Sequence, residues 1–291
     1  MPRLKLLAAS LLCVAAAAAG AAAPSLTAEQ IVDKNVQARG GLQAWRAVQT
    51  LTLTGKIDAG GKDNHELPFI MRLKRPNQSR MEVVFNGQTA VQVYDGTHGW
   101  KVRPFLNRNE VENYTPDQLK AAAAEDALDG PLVDYAAKGS RIESVGLEAV
   151  EGKPAYHLKV TTRSGHQRNL WVDANTFLEV KIEGEPRILD GKPHKVAIFY
   201  RDFKNEHGLL VPGVTETVVE GVKASHKLQV TQVGVNEHFD DALFQKPQAV
   251  AAGNVNPVVS APVVAPGAAK AAAPAGANAT PAAAHASATK P

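Results

Sequence analysis

The sequence predicts a mainly β (α+β) protein. It would form one curved antiparallel sheet of about ten to eleven strands, an incomplete barrel, with an N-terminal helix and a short helical insertion covering the concave side. Three observations predict this. Short runs of period-two alternation follow one another from Thr50 to Phe239. X-Gly pairs separate them: Asn86-Gly87, Asp95-Gly96, Glu151-Gly152, Ser164-Gly165, Asp190-Gly191, His207-Gly208 and Glu220-Gly221. Strands joined by such tight turns are antiparallel neighbours, and a sheet this large curls. Helix punctuation is confined to the N-terminus and to one stretch after Thr115.

The first helix opens at Thr27, with Gln30 three residues on as in a capping box and Leu26 and Ile31 placed as a hydrophobic staple. It stops at Gly40-Gly41, where glycine suits a helix end. A short second helical turn carries Leu42, Trp45 and Val48 on one stripe, which assigns Trp45 to the core. Alternation then runs through Leu51–Ile57, Leu67–Leu73, Met81–Phe85, Val91–Val93 and Trp100–Val102. Each set lies on one face of its strand, and these sets are expected to line the concave interior.

Residues 104–107 read as a loop carrying Phe105 and Leu106. Thr115-Pro116 then starts a helix, with Thr115 as N-cap and Pro116 at its first position. Leu132, Val133 and Tyr135 suggest a second helical piece, so that the insertion would lie across the mouth of the sheet as a lid. Strands resume at about Arg141 and continue to about Val235. Several, including those around Trp171 and Phe199, carry bulk on both faces.

The ends read differently. Residues 1–23 have a basic start at Arg3 and Lys5, an apolar run and small residues at 19–23, the layout of a cleaved secretory signal. The protein is therefore expected to be exported, with no transmembrane span after cleavage. The single cysteine, Cys13, follows the bulky Leu12, unlike a lipoprotein signal. A folded domain is expected at 24–248 and a disordered Ala/Pro-rich tail at 249–291. The 32 basic residues less Arg3, Lys5, Lys270 and Lys290 leave 28 against 29 acidic, so the alkaline balance belongs to the ends. The fold itself carries no basic stripe, and no nucleic-acid partner is expected.

No chemistry stands out. The nine histidines show no i, i+4 pairing with a Glu of the zinc-protease kind, no G-x-S-x-G is present, and Gly60-Gly61 lies between strands rather than before a helix. Glu179, Glu183 and Glu185 are read as a strand's exposed face. No cofactor, metal or catalytic set is expected, and the protein is read as a non-enzyme.

Several short motifs recur in a telling order. Ala38-Arg39-Gly40-Gly41-Leu42 is followed by Trp45 and Leu51-Thr52-Leu53-Thr54-Gly55. Gly152-Lys153-Pro154-Ala155-Tyr156 precedes Asn169-Leu170-Trp171-Val172-Asp173, then Glu179-Val180-Lys181. Asp240-Asp241-Ala242-Leu243-Phe244 and Pro247 close the domain. Together they resemble the LolA/LolB-like family of periplasmic outer-membrane lipoprotein-sorting proteins. The resemblance implies a hydrophobic cavity holding acyl chains while a lipidated cargo crosses the periplasm. It implies a binder or carrier of lipid or lipoprotein acyl chains, with Leu53, Phe69, Met71, Phe85, Val93 and Trp100 lining the cavity and Phe105 and Leu106 at its rim. The alternative is a non-enzymatic envelope sensor or interaction module on the same fold, binding a protein partner through a sheet edge or the tail.

Overall fold

Thr27 begins the fold as predicted. Its hydroxyl accepts from the Gln30 amide at 3.2 Å, and the Gln30 side chain accepts from the Thr27 amide at 2.9 Å. The computed structural model describes residues 26–58, 66–104, 108–125, 128–189 and 191–249. Helix α1 (Ala28–Ala38) buries Ile31, Val32, Asn35 and Val36, a face spaced for one helical stripe. It ends at Gly40 and Gly41, with φ of 117° and 93°. The Gly41 amide returns to the Val36 carbonyl at 2.8 Å. A Cβ on Gly40 would lie 2.3 Å from the Gly208 carbonyl oxygen, so only glycine fits. Helix α2 (Leu42–Ala47) then buries Trp45 in the core, where the sequence places it.

The strands are β1 (Thr50–Asp58), β2 (Glu66–Lys74), β3 (Gln78–Phe85), β4 (Gln88–Tyr94), β5 (Gly99–Arg103) and β6 (Arg108–Asn113), followed by helix α3 (Pro116–Ala124). After it come β7 (Arg141–Val150), β8 (Lys153–Thr161), β9 (Gln167–Asp173), β10 (Glu179–Leu189) and β11 (Lys192–Arg201). The chain continues with β12 (Lys204–Glu206), β13 (Leu209–Val211), β14 (Val214–Val219) and β15 (His226–Val235). Thirteen strands form one curved antiparallel sheet in the order β6-β5-β4-β3-β2-β1-β15-β14-β11-β10-β9-β8-β7, and β12 and β13 form a separate hairpin. Each half is a run of hairpins, broken only where the chain forms β12 and β13 between the paired β11 and β14, and the last strand joins the halves by pairing with β1. The sheet stays open, with β6 and β7 as its edges.

The predicted two-residue turns hold at three of the X-Gly pairs; Asp95-Gly96, Ser164-Gly165 and Glu220-Gly221 sit in longer loops between antiparallel neighbours, and Asp190 lies outside the described residues. Asn86-Gly87, Glu151-Gly152 and His207-Gly208 all have positive φ at both residues and form two-residue hairpin loops. Two segments differ from expectation. Residues 108–113 form an additional edge strand, β6; its residues are nearly all polar, so no apolar alternation marked it. Leu132 and Val133 are fully buried but lie in successive turns rather than a helix, because Gly130, Asp134 and Gly139 adopt positive φ.

The register defines two faces. The inner face is covered by α1, α2 and the turns at 128–140. There Leu158, Leu170, Val172, Ile182 and Ile198 pack against Ile31, Val32, Trp45 and Leu132. On the outer face Val150, Ala155 and Trp171 form a small cluster with Val180 and Phe199. The bulk there is covered by side chains: Lys181 lies 4.0 Å over the Trp171 ring, and His157 stacks on it at 4.6 Å. The chain's last described segment crosses the outer face of β1–β3. Glu237 accepts from Thr50 and Thr52, Arg80 donates to the Leu243 carbonyl at 3.0 Å, and Phe244 is fully buried.

Candidate functional site

The inner face is unevenly filled. Over β7–β11 it is covered by α1, α2 and the turns at 128–140, whereas over β2–β5 a cavity of about 370 Å³ remains beneath α3. Its wall is built from alternate residues of neighbouring strands: Met71 and Leu73 of β2, Met81 of β3, and Tyr94 of β4. Ala121, Ala122 and Gln118 of α3 form the roof. Tyr114, just before α3, lies against Gly99, where a Cβ would come within 2.1 Å of the phenol ring. Glycine at 99 therefore lets an aromatic ring lie on the sheet.

α3 is lightly held. None of its residues is buried. Its ties to the sheet side include Lys101 Nζ to Gln118 Oε1 at 3.0 Å and Asn77 Nδ2 to the Ala122 carbonyl at 3.4 Å. Its N-terminus is set by the predicted capping box, Thr115 with Gln118.

The polar end of the cavity is formed by Gln92, Lys101 and Arg103. Arg103 Nη2 donates to both oxygens of Glu112, at 2.8 and 2.7 Å. That hydrogen bonding, aided by the charges of Arg103, Arg108 and Lys101, holds the Glu112 carboxyl below its ordinary value. Burial raises the Tyr114 phenol, and the nearby Glu125 charge adds to the effect. Burial likewise raises Tyr94, whose hydroxyl donates to the Gly96 carbonyl at 2.9 Å.

A second depression, about 420 Å³, lies by the Glu151-Gly152 hairpin and is lined by Val150, Ala155, Leu178, Val180 and Phe203. Three of its charged groups have partners nearby. Arg201 donates to both Glu151 oxygens at 2.6 and 2.8 Å, and Asp173 caps the turn at Asn175 and Thr176. Among the described residues no group of three or more His, Cys, Asp or Glu is arranged to hold a metal ion.

The structure divides the residues proposed from sequence. Met71 lines the cavity. Leu53, Phe69 and Phe85 share its face, but Leu53 packs against the main core and Phe69 is buried against the space that Gly55 leaves open. Val93 and Trp100 are directly opposed to each other on the outer face, away from the cavity. The two-residue turn at Asn86-Gly87 is the reason: it pairs Phe85 with Gln88, so odd residues of β3 share a face with even residues of β4. Phe105 and Leu106 lie outside the described residues. Glu179 is also not exposed; a register shift between β9 and β10 turns it inward, onto Arg39. The wall residues missed from sequence, Tyr94, Lys101 and Arg103, were reachable by carrying the parity of Met81 through the Asn86-Gly87 turn.

No protein-family model matches the sequence, and no curated protein matches it. Solved structures do match. A LolA superfamily protein from Nitrosomonas europaea aligns with a TM-score of 0.50 at 16% identity, covering 76% of this chain and 99% of that one. The chain has the fold of the LolA superfamily. A DUF1329 family protein from Desulfovibrio piger also matches, with a TM-score of 0.50 at 14% identity, covering 75% of this chain and 97% of that one. Within this LolA-type half-barrel, the unfilled part of the concave face is the cavity under α3. Among the described residues no helix is long and apolar enough to cross a membrane.

Proposed function

We propose that this chain is an exported, non-enzymatic binder or carrier of lipid or lipoprotein acyl chains, seated in the cavity between β2–β5 and α3. One observation carries the reading: a buried hydrophobic cluster covers one half of the inner face, while the other half leaves a cavity under a helix with no buried residue. The volume falls within the range of small-molecule pockets, roughly 300–1,000 Å³. A methylene moved from water onto such a wall contributes about 0.8 kcal/mol, so an acyl chain would be held without any chemistry. α3 makes few contacts and would open at low cost. The similarity to a LolA superfamily fold supports the same reading, and the basic, then apolar start of the sequence supports export.

Native mass spectrometry with solvent extraction, on protein purified from a bacterial periplasm, tests it. Near-stoichiometric acyl species are expected. A clean apo mass with no uptake of a fluorescent fatty acid would remove the carrier reading.

A second reading rests on β7. This edge strand is ten residues long and leaves Val145 and Leu147 55% and 60% exposed. Such an edge accepts an added strand from a protein partner, as an envelope sensor or interaction module would require.

A further inference from the structure

The polar end of the cavity carries an excess of positive charge. Three cations surround one carboxylate: Arg103 at 2.7 Å, Arg108 at 3.8 Å and Lys101 at 3.9 Å from Glu112. Of these groups, Lys101 and Arg103 line the cavity and Glu112 does not. Both cations are largely withdrawn from water, their side chains 12% and 24% exposed. Arg103 Nε is buried without a hydrogen-bond partner among the described residues. Lys101 has three N–H donors and gives one to Gln118. Glu125, on the α3 side, is the anion that also borders the cavity, and it lies near Tyr114.

A cavity meant only for hydrocarbon would not place Lys101 and Arg103 in its wall, since withdrawing each from water carries a cost that pairing offsets only in part: Arg103 is paired with Glu112, yet its Nε has no partner among the described residues. An anion entering beside Lys101 and Arg103 would offset that cost and take up the unused donors. Beyond them the wall carries an apolar strip of Met71, Leu73 and Met81 with the rings of Tyr94 and Tyr114, bordered by Asn77, Ser79 and Arg80.

We propose that the cavity beneath α3 selects anionic amphiphiles. The hydrocarbon chain lies along Met71 and Met81, and a carboxylate or phosphate head group sits on Lys101 and Arg103. This assignment rests on the acyl-binding reading above and adds a ligand class to it. α3 takes part through Gln118, which holds Lys101; a head group competing for that ammonium would loosen the roof as it binds.

Equilibrium titration of the full mature chain at low salt tests the proposal, with a fluorescent fatty acid and the uncharged alcohol of the same chain length as probes. The carboxylate should bind about tenfold or more tightly than the alcohol, the scale of one charge-assisted hydrogen bond. Arg103→Gln and Lys101→Gln should each bring that ratio toward one, and Arg103→Lys should restore most of it. Far-UV spectra and melting temperature establish that the variants fold. Millimolar inorganic phosphate should fail to displace the fatty acid; full displacement would mean a simple anion site and overturn the amphiphile assignment. Equal binding of acid and alcohol would overturn the head-group assignment while leaving the acyl-binding reading intact. Binding of neither probe would overturn both.

Discussion

The guanidinium of Arg39 lies over the indole of Trp45, 4.4 Å from the ring centroid, while the indole Nε1 donates to the Arg39 carbonyl at 3.0 Å. The same guanidinium reaches the Asp129 carbonyl at 2.7 Å and Glu179 at 3.2 Å. Asp129 in turn accepts from Arg75 at 2.6 Å and Lys138 at 2.7 Å. One buried side chain thus joins α1, α2, β10 and the turns at 128–140, closing the packed half of the concave face and leaving the other half to the cavity.

Removing Arg39 should be costly. Arg39 and Glu179 side chains are both less than a tenth exposed, and breaking such a pair strands a buried charge. Arg39→Ala is expected to lower stability by about 3 kcal/mol or more, read from the urea unfolding midpoint. A midpoint within error of wild type would show that the network carries no stability.

Glycine 40 should be irreplaceable where a turn glycine is not. Gly40→Ala places a Cβ against the Gly208 carbonyl at positive φ, whereas Gly152, also at positive φ, has open space around it. Gly152→Ala is expected to cost about 1 kcal/mol, and Gly40→Ala at least about twice that. Equal melting temperatures for the two variants would contradict the close approach of the β12–β13 hairpin to the end of α1.

The two faces of the sheet should separate in ligand retention. Met71→Glu is expected to weaken uptake of a fluorescent fatty acid at least about tenfold by burying a carboxylate in the apolar wall. Trp100→Ala, on the outer face beside His98, should leave uptake as it was. Loss of uptake in the Trp100 variant with Met71 silent would place the ligand on the opposite face.

Acid should act through Asp173. Burial alone would raise its carboxyl, but the Thr176 and Asn175 amides and the Thr176 hydroxyl outweigh it and hold the value below the ordinary 3.8. Because the folded value lies below the unfolded one, this contribution is full above pH 3.8 and is lost as pH falls through the folded value. Asp173→Asn should lower stability at neutral pH and flatten its decline between about pH 4 and 2. Unfolding midpoints across that range with parallel slopes for both proteins would contradict it.

Much of this molecule was legible in advance. The capping boxes at Thr27 and Thr115, the Gly40-Gly41 stop and the two-residue turns all stand where residue chemistry puts them, because each depends on neighbours within a few positions. The cavity wall was legible only in part. Alternation assigned faces correctly within β3, β4 and β5, yet the relation between strands passes through the turns. Placing Val93 and Trp100 with Met71 ignored the parity change at Asn86-Gly87. β6 escaped because a charged edge strand has no apolar face to display.

Because propensity, caps and turn geometry are local, the sequence by itself determined the fold class, the antiparallel hairpins and the positions of α1, α2 and α3, though not the turns at Leu132 and Val133. Only the tertiary structure decided which half of the concave face is filled. That depends on Arg39, Asp129 and Glu179 meeting across 140 positions of chain, and on Lys101, Arg103 and Tyr114 being brought beneath α3 by register and bulges. Packing is a relation among distant residues, and no local pattern carries it.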